Sequence, residues 1–278
     1  MSEIILEAVT DKCDNKVGSI KKNIDPFVWV IIKRILLLSL LISAWEIAPR
    51  KDWVDHTFLP PLSLILAEFK KMIMSGALWR HVSISLFRSI AGFSIAIGIG
   101  IPLGLVIGWY KTMSDLLTLP IEVFRNTSAL AMLPVFMLFM GIGEASKFTI
   151  VAFACLWPII LNTISGIKNV DPLLIMLARS MGLTNAVMFR KIIIPAAIPS
   201  IFTGLRISSA AAVLVIIAAE MVGAKSGLGY LITNAQYSFM IPRMYVGILT
   251  TMILGVSINY LILGIENKFT SWKPKSSP

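Results

Sequence analysis

Apolar residues along this chain come in long runs separated by short polar segments. Several runs approach the ~20 residues that a helix needs to cross a bilayer. They predict six spans, at about 27–48, 85–109, 117–141, 146–167, 198–222 and 244–264. The first is imperfect. Its clean stretch, Ile35–Ala48, covers 14 residues, or about 21 Å at 1.5 Å per residue. Lys33 and Arg34 fall inside any longer assignment, where their aliphatic stems let the charges snorkel to the interface. Between the first two spans, apolar residues at 62, 65, 66, 69, 72 and 73 follow the rigid Pro60-Pro61 pair. That spacing predicts an amphipathic helix over Leu62–Met74, lying against the outer membrane surface in a packing role.

Within the second span Gly92, Ala96, Gly100, Gly104 and Gly108 recur every fourth residue. They form one stripe of small side chains, which lets helix backbones approach closely in lipid. The stripe predicts a helix–helix interface, within the subunit or between two copies. Pro102 predicts a kink.

The segment between the fourth and fifth predicted spans is far longer than a connection needs. It includes LARSMGLTNAVMFRKIIIPAAIPS at 177–200. Asp171-Pro172 supplies a cap and a first helical residue. Leu174, Leu177 and Met181 then share a face, and Gly182 can close the helix in a left-handed conformation. Thr184 or Asn185 can cap a second helix running to Ile194, after which Pro195 and Pro199 are expected to break or bend the chain. Arg179, Arg190 and Lys191 flank the apolar face. Periodicity alone leaves two readings, a helix lying on lipid headgroups or one docking in another protein's groove.

Composition supports the membrane reading. The chain is 56% hydrophobic and 14% charged, with a mean hydropathy of +0.83, against about 45–50% apolar and about 25% charged in soluble domains. The fold class is all-α, a polytopic membrane bundle with little room for a separate soluble domain. The net charge of +10 does not indicate nucleic acid, because the basic residues are scattered between spans. With the N-terminus inside, the cytoplasmic segments 1–34, 110–116, 168–197 and 265–278 hold 14 of the 25 lysines and arginines, and the outer segments hold 7. This bias favours an arrangement with both termini inside. The N-terminus is too long and too acidic for a signal n-region, so the first span should remain as an anchor. Cys13 and Cys155 form no disulfide framework.

Polar residues inside spans usually face a cavity or the bundle interior. Arg125, Asn126, Thr127, Asn162, Thr163, Ser208, Ser209 and Asn259 are candidates for a solute path, with interhelical hydrogen bonding as their structural alternative. Arg125 suits an anion, but could equally snorkel or pair with Glu122. Glu220, at the end of the fifth span, is expected to pair with Lys225 or Arg243, or to meet an external partner. The sequence has no GxxxxGK[ST] loop, and Gly223-Ala-Lys-Ser-Gly-Leu-Gly has the wrong spacing. His56 and His81 are the only histidines, and a metal site is not expected. Nor is a catalytic Ser/His/Asp set.

The spacing Ala178-x3-Gly182-x9-Ile192-x-Ile194-Pro195 resembles the EAA loop in permease subunits of binding-protein-dependent ABC importers. Met176 stands where that pattern begins with Glu, and Ile194 where Leu is common. RNTSALAMLPVFMLFMGIGEASK (125–147), FACLWPIILNTISGIKNVDP (153–172) and AAEMVGAKSGLGYLI (218–232) resemble the branch handling nitrate, taurine and aliphatic sulfonates. The resemblance implies a type I importer permease: a cytoplasmic segment 1–26, a first span plus external helix over 27–84, a core over 85–264 with a coupling loop at 168–197, and a cytoplasmic tail 265–278. It implies that Asp171, Leu174, Leu177, Ala178, Arg179, Met181, Gly182, Phe189, Ile192 and Pro195 serve coupling to an ATPase. The chain itself would be no enzyme and hold no cofactor. ATP and Mg would sit on a separate ATPase subunit, with an external solute-binding protein and a second permease copy as further partners. A sulfonate, taurine or nitrate is the implied solute, with a vitamin precursor as the alternative. An autonomous secondary transporter or channel would share the spans but leave the long basic loop unexplained.

Overall fold

The computed structural model describes residues 26–55 and 57–269. Cys13, His56 and the predicted cytoplasmic ends before 26 and after 269 lie outside the described residues. Among those described, every regular element is helical. The chain divides into two compact units, Met1–Ile65 and Leu66–Pro278.

In the first unit, helix α1 (Pro26–Arg50) exposes a nearly continuous aliphatic surface. The Lys33 ammonium lies 3.8 Å from the centre of the Trp29 ring, so its charge is partly satisfied along its own helix. After α1 the chain turns back. Glu46 accepts from the backbone N–H and hydroxyl of Ser63 at 3.1 and 2.9 Å and pairs with Arg50 at 2.5 Å. The Trp45 indole donates to the Pro60 carbonyl. Helix α2 (Leu62–Met74) is the expected amphipathic helix, with a narrower buried stripe than its spacing predicts. Ile65 and Met72 are buried, whereas Leu66 and Ile73 are exposed.

The second unit is built on three long helices: α3 (Ala77–Trp109), α6 (Glu144–Lys168) and α9 (Ile194–Met221). The small-residue stripe of α3 seats α6. A Cβ at Gly92 would lie 2.6 Å from Val151 Cβ, and one at Gly104 would lie 2.6 Å from Thr163 Cβ. Gly100 faces Ile159 and Gly108 faces Ile167. The register advances equally on both helices, so α3 and α6 run parallel. Ala96 is fully buried in the same stripe. Helix α9 packs on α6 in the opposite sense. Gly166 meets Ala197 and Ser200, Gly204 meets Asn162, and Ser208 and Cys155 exchange hydrogen bonds with each other's carbonyls at 2.9 and 3.2 Å.

Two parallel neighbours oblige the intervening chain to travel back along them. It does so in two pieces, not as the single span expected at 117–141. Helix α4 (Lys111–Arg125) stops, a short 3-10 turn (Leu130–Met132) follows, and α5 (Leu133–Met140) leaves at 85° to α4. The physical reason is local. Asn126 and Thr127 donate back to the Glu122 and Val123 carbonyls, and such side-chain bonds compete with the helical ladder. Pro134 then starts α5 at a position where its missing N–H costs nothing.

The loop segment forms α7 (Pro172–Ser180) and the one-turn α8 (Asn185–Met188). Of the break or bend expected at Pro195, the break does not occur. A π-helical turn, Phe189–Ile193, joins α8 to α9, giving 37 continuous helical residues over Asn185–Met221. A wide turn just before the proline accommodates its ring and the lost donor. Helices α10 (Leu228–Tyr237) and α11 (Ile241–Phe269) complete the unit. Among the described residues, four helical stretches are long and apolar enough to cross a membrane: α3, α6, Asn185–Met221 and α11. The bent pair makes a fifth if it is counted as one span.

Candidate functional site

Three features stand at different levels along α6. At the end where α6 stops, α7 is seated on the bundle. Asp171 accepts from the Leu173 N–H at 2.8 Å, which caps the helix as its position predicts. Ala178, fully inside, joins Ile167, Val170, Met188, Ile193, Ala197 and Ile201 in one cluster, with Phe189 and Ile192 packed against it. The Phe189 ring packs against Trp109 at 4.9 Å, tilted by 56°. Gly182, at φ +70°, closes the turn in a conformation that side chains disfavour.

The predicted coupling residues therefore divide. Ala178, Phe189 and Ile192 face the chain's own core, and Pro195 is half-buried in the helix that follows. Leu174, Leu177 and Met181 face outwards together with Leu173 and Met176, and Leu177 and Met181 are 58% and 68% exposed. Arg179 is exposed beside them. A short helix held rigidly by its inner face presents a row of bare aliphatic and thioether groups. Asp171→Ala is expected to destabilise α7 by about 1 kcal/mol, which faster amide exchange over 172–180 would reveal.

Halfway along α6, beside the break between α4 and α5, lies a cavity of about 360 Å³. Four of the eight predicted path residues line it: Arg125, Asn126, Thr127 and Asn162. The other four lie elsewhere. Thr163 is buried against Gly104 and donates to Ile159 O. Ser208 and Ser209 are buried, and both donate to backbone carbonyls. Asn259 lies half-buried on α11. The far wall is apolar, formed by Phe153, Ala154, Trp157, Pro158 and Leu161 on one face of α6. Trp157 stacks parallel to Phe124 at 5.5 Å and edge-on to Phe153. Its indole nitrogen is buried without an acceptor among the described residues. As an aromatic residue within an apolar run, Trp157 carries no polar signal in the sequence. Its spacing of four from Phe153 and from Leu161 was the available signal.

At the opposite end of α6 lies a buried ion cluster. Glu220 is wholly enclosed and Arg88 is 3% exposed. They meet at 2.7 Å. Glu220 is thus partnered by Arg88 and not by Lys225 or Arg243, and Arg243 pairs with Glu68 at 3.5 Å. Ser85 donates to Glu220 and accepts from the Leu228 N–H, while the Gly229 N–H donates to the same carboxylate. Arg88 also forks onto Glu144 at 2.6 and 2.5 Å and donates to the Ser226 carbonyl. Lys147 stands 3.5 Å from Glu144. The cluster ties the start of α3, the start of α6, the end of α9 and the glycine-rich 223–229 loop. A Cβ at Gly227, where φ is +116°, would overlap the Glu220 carboxylate, so the loop can close over the charge only with glycine there. Arg88 extends the every-fourth-residue stripe of α3 by one step towards its start, and that was the legible sign of its inward direction.

The second unit thus packs parallel and antiparallel long helices around a broken one, with a short helix pair at one end. The same fold occurs in the MetNI methionine ABC transporter in inward-facing conformations, with a TM-score of 0.60 at 21% identity over 69% of this chain and 96% of that one. It occurs again in an amino acid ABC transporter, with a TM-score of 0.53. Residues 100–271 match the family described as binding-protein-dependent transport system inner membrane component, and the chain belongs to that family. It is 35% identical to the putative aliphatic sulfonates transport permease protein SsuC of Escherichia coli, over 84% of this chain and 89% of that one. It is 28% identical to the taurine transport system permease protein TauC of the same organism, over 88% and 92%. It is 30% identical to the nitrate import permease protein NrtB of Synechocystis, over 89% and 93%. The chain is therefore a multi-pass membrane permease and not itself an enzyme.

Proposed function

We propose that this chain forms the solute pathway of an ATP-driven importer for a small solute, with sulfonate, taurine and nitrate in that order of preference. The order rests on the names of the relatives. The energy comes from separate ATPase subunits that carry ATP and Mg, and an external binding protein delivers the solute. A second copy of the chain completes the pathway. Both termini face the cytoplasm, which the excess of basic residues in the predicted inner segments supports.

One observation carries this reading: the exposed apolar face of α7 on a rigid seat. An interfacial helix needs no such seat, whereas a lever does. Force applied at Leu174, Leu177 and Met181 passes through Ala178 and the Ile193 cluster directly into α6 and α9. Nucleotide then drives transport only if the ATPase holds one permease conformation better than the other.

The test is affinity isolation of the tagged chain in mild detergent, with partners identified by mass spectrometry. A subunit with a phosphate-binding loop is expected, and recovery of the chain alone after cross-linking overturns the reading. Leu177→Asp should lose that subunit at least tenfold while leaving the chain monodisperse. Gly182→Val, which strains the turn, should uncouple uptake from hydrolysis.

A further inference from the structure

The cavity beside the helix break has a division of labour that narrows what it can hold. Asn126, Thr127 and Asn162 each commit a donor to a carbonyl of their own helix, at 2.8, 3.0 and 2.8 Å. Two other polar groups of the wall differ. Arg125 is exposed and carries a full positive charge. Trp157 holds an indole N–H with no acceptor among the described residues. A buried donor left unsatisfied is costly, and an arriving oxygen atom relieves that cost. The remaining wall, the rings of Phe153 and Trp157 with the Leu161 side chain, offers apolar contact.

From this arrangement we infer that the cavity is a binding site for a small organic oxyanion: Arg125 and the Trp157 indole N–H serve its oxygens, and the aromatic wall of α6 serves its hydrocarbon part. The inference rests on the permease reading and adds the site and its selectivity. The indole nitrogen is buried beneath the wall surface, so wall side chains must shift for an oxygen to reach it. An oxyanion without carbon, such as nitrate, can use the two donors but gains nothing from the wall. At about 360 Å³ the cavity is within the ~300–1,000 Å³ range of small-molecule sites, larger than a bare nitrate needs.

The test uses the full chain in lipid nanodiscs, with hexanesulfonate and nitrate as probes. Indole N–H resonances of the tryptophans are recorded in ¹⁵N-labelled protein, and Trp157 is assigned by the signal lost in Trp157→Phe. Hexanesulfonate is expected to shift that resonance downfield and to bind at least tenfold more tightly than nitrate. Arg125→Gln, at an exposed position where folding is not at stake, should weaken hexanesulfonate at least tenfold. Trp157→Phe, which keeps the ring stack, should weaken it by a similar factor. An unmoved Trp157 signal, equal affinity for nitrate, or undiminished affinity in Arg125→Gln overturns the inference. The isolation experiment reads separately. An ATPase-bound chain with a silent Trp157 removes this site alone, whereas hexanesulfonate bound here in a chain with no ATPase partner removes the importer reading alone.

Discussion

Glu220→Ala is expected to cost about 3–5 kcal/mol of stability, because it removes the one fully enclosed carboxylate that pairs with the buried Arg88 guanidinium. Arg88 would keep Glu144, but that carboxylate is 52% exposed, and water already competes for such a pair. The same substitution frees Ser85 and the Gly229 N–H, both of which now donate to the carboxylate. Glu220→Gln should lie between wild type and alanine. Its amide keeps one acceptor oxygen but turns an N–H₂ group towards neighbours that are donors. Ser85→Ala should cost about 1–2 kcal/mol, the range for one buried hydrogen bond and its orphaned partner. Thermal unfolding in detergent, followed by monodispersity, ranks the three. A Glu220→Ala variant as stable as wild type would show that the cluster is not what holds α3, α6 and α9 together at this end. The double variant Arg88→Met/Glu220→Met should recover part of the loss, since it removes both buried charges at once.

The second large effect is expected at Gly92. Leucine there must fit where even a bare Cβ would lie 2.6 Å from Val151 Cβ and 2.8 Å from the Phe148 carbonyl oxygen. Neither atom is the free end of a flexible chain, so the helices must part. Overpacking of this kind costs about 1–3 kcal/mol or more. In lipid the close approach of backbones is itself much of the attraction. The yield of monodisperse protein should fall several-fold, and Gly92→Leu/Val151→Ala should restore part of it. The control is Gly98 on the same helix, where an added Cβ meets nothing within 4 Å. Gly98→Ala should be neutral or slightly stabilising, because alanine is the better helix former by roughly 1 kcal/mol. Equal losses at Gly92 and Gly98 would mean that the stripe does not select the α3–α6 contact.

Much of this was written in linear order. The long apolar runs specify membrane helices because a bilayer leaves a spanning backbone no other way to satisfy itself. The stripe from Gly92 to Gly108 and the cap–helix–glycine pattern from Asp171 to Gly182 are also local, since each depends on spacing within one helix or turn. The EAA-like spacing marks the family without reference to any tertiary contact. What the linear order could not hold were the partners. Glu220 lies closest in sequence to Lys225, yet its partner is Arg88, because the parallel register of α3 and α6 and the opposite run of α9 bring Arg88, Glu144 and Glu220 to one level. The third predicted span contains no proline between Arg125 and Leu133 to announce its 85° bend. Hydropathy averages over such a break, which rests on the bonds of the Asn126 and Thr127 side chains to the preceding turn. Eight polar residues were equivalent as candidates in the sequence. Tertiary packing separated them, placing Arg125, Asn126, Thr127 and Asn162 on one cavity and turning Thr163, Ser208 and Ser209 into the bundle. The sequence by itself therefore determined which segments are helical, which face of each is small or apolar, and which family the chain joins. The tertiary structure alone decided which charges meet and which polar groups share a cavity, because those depend on the register between helices distant along the chain.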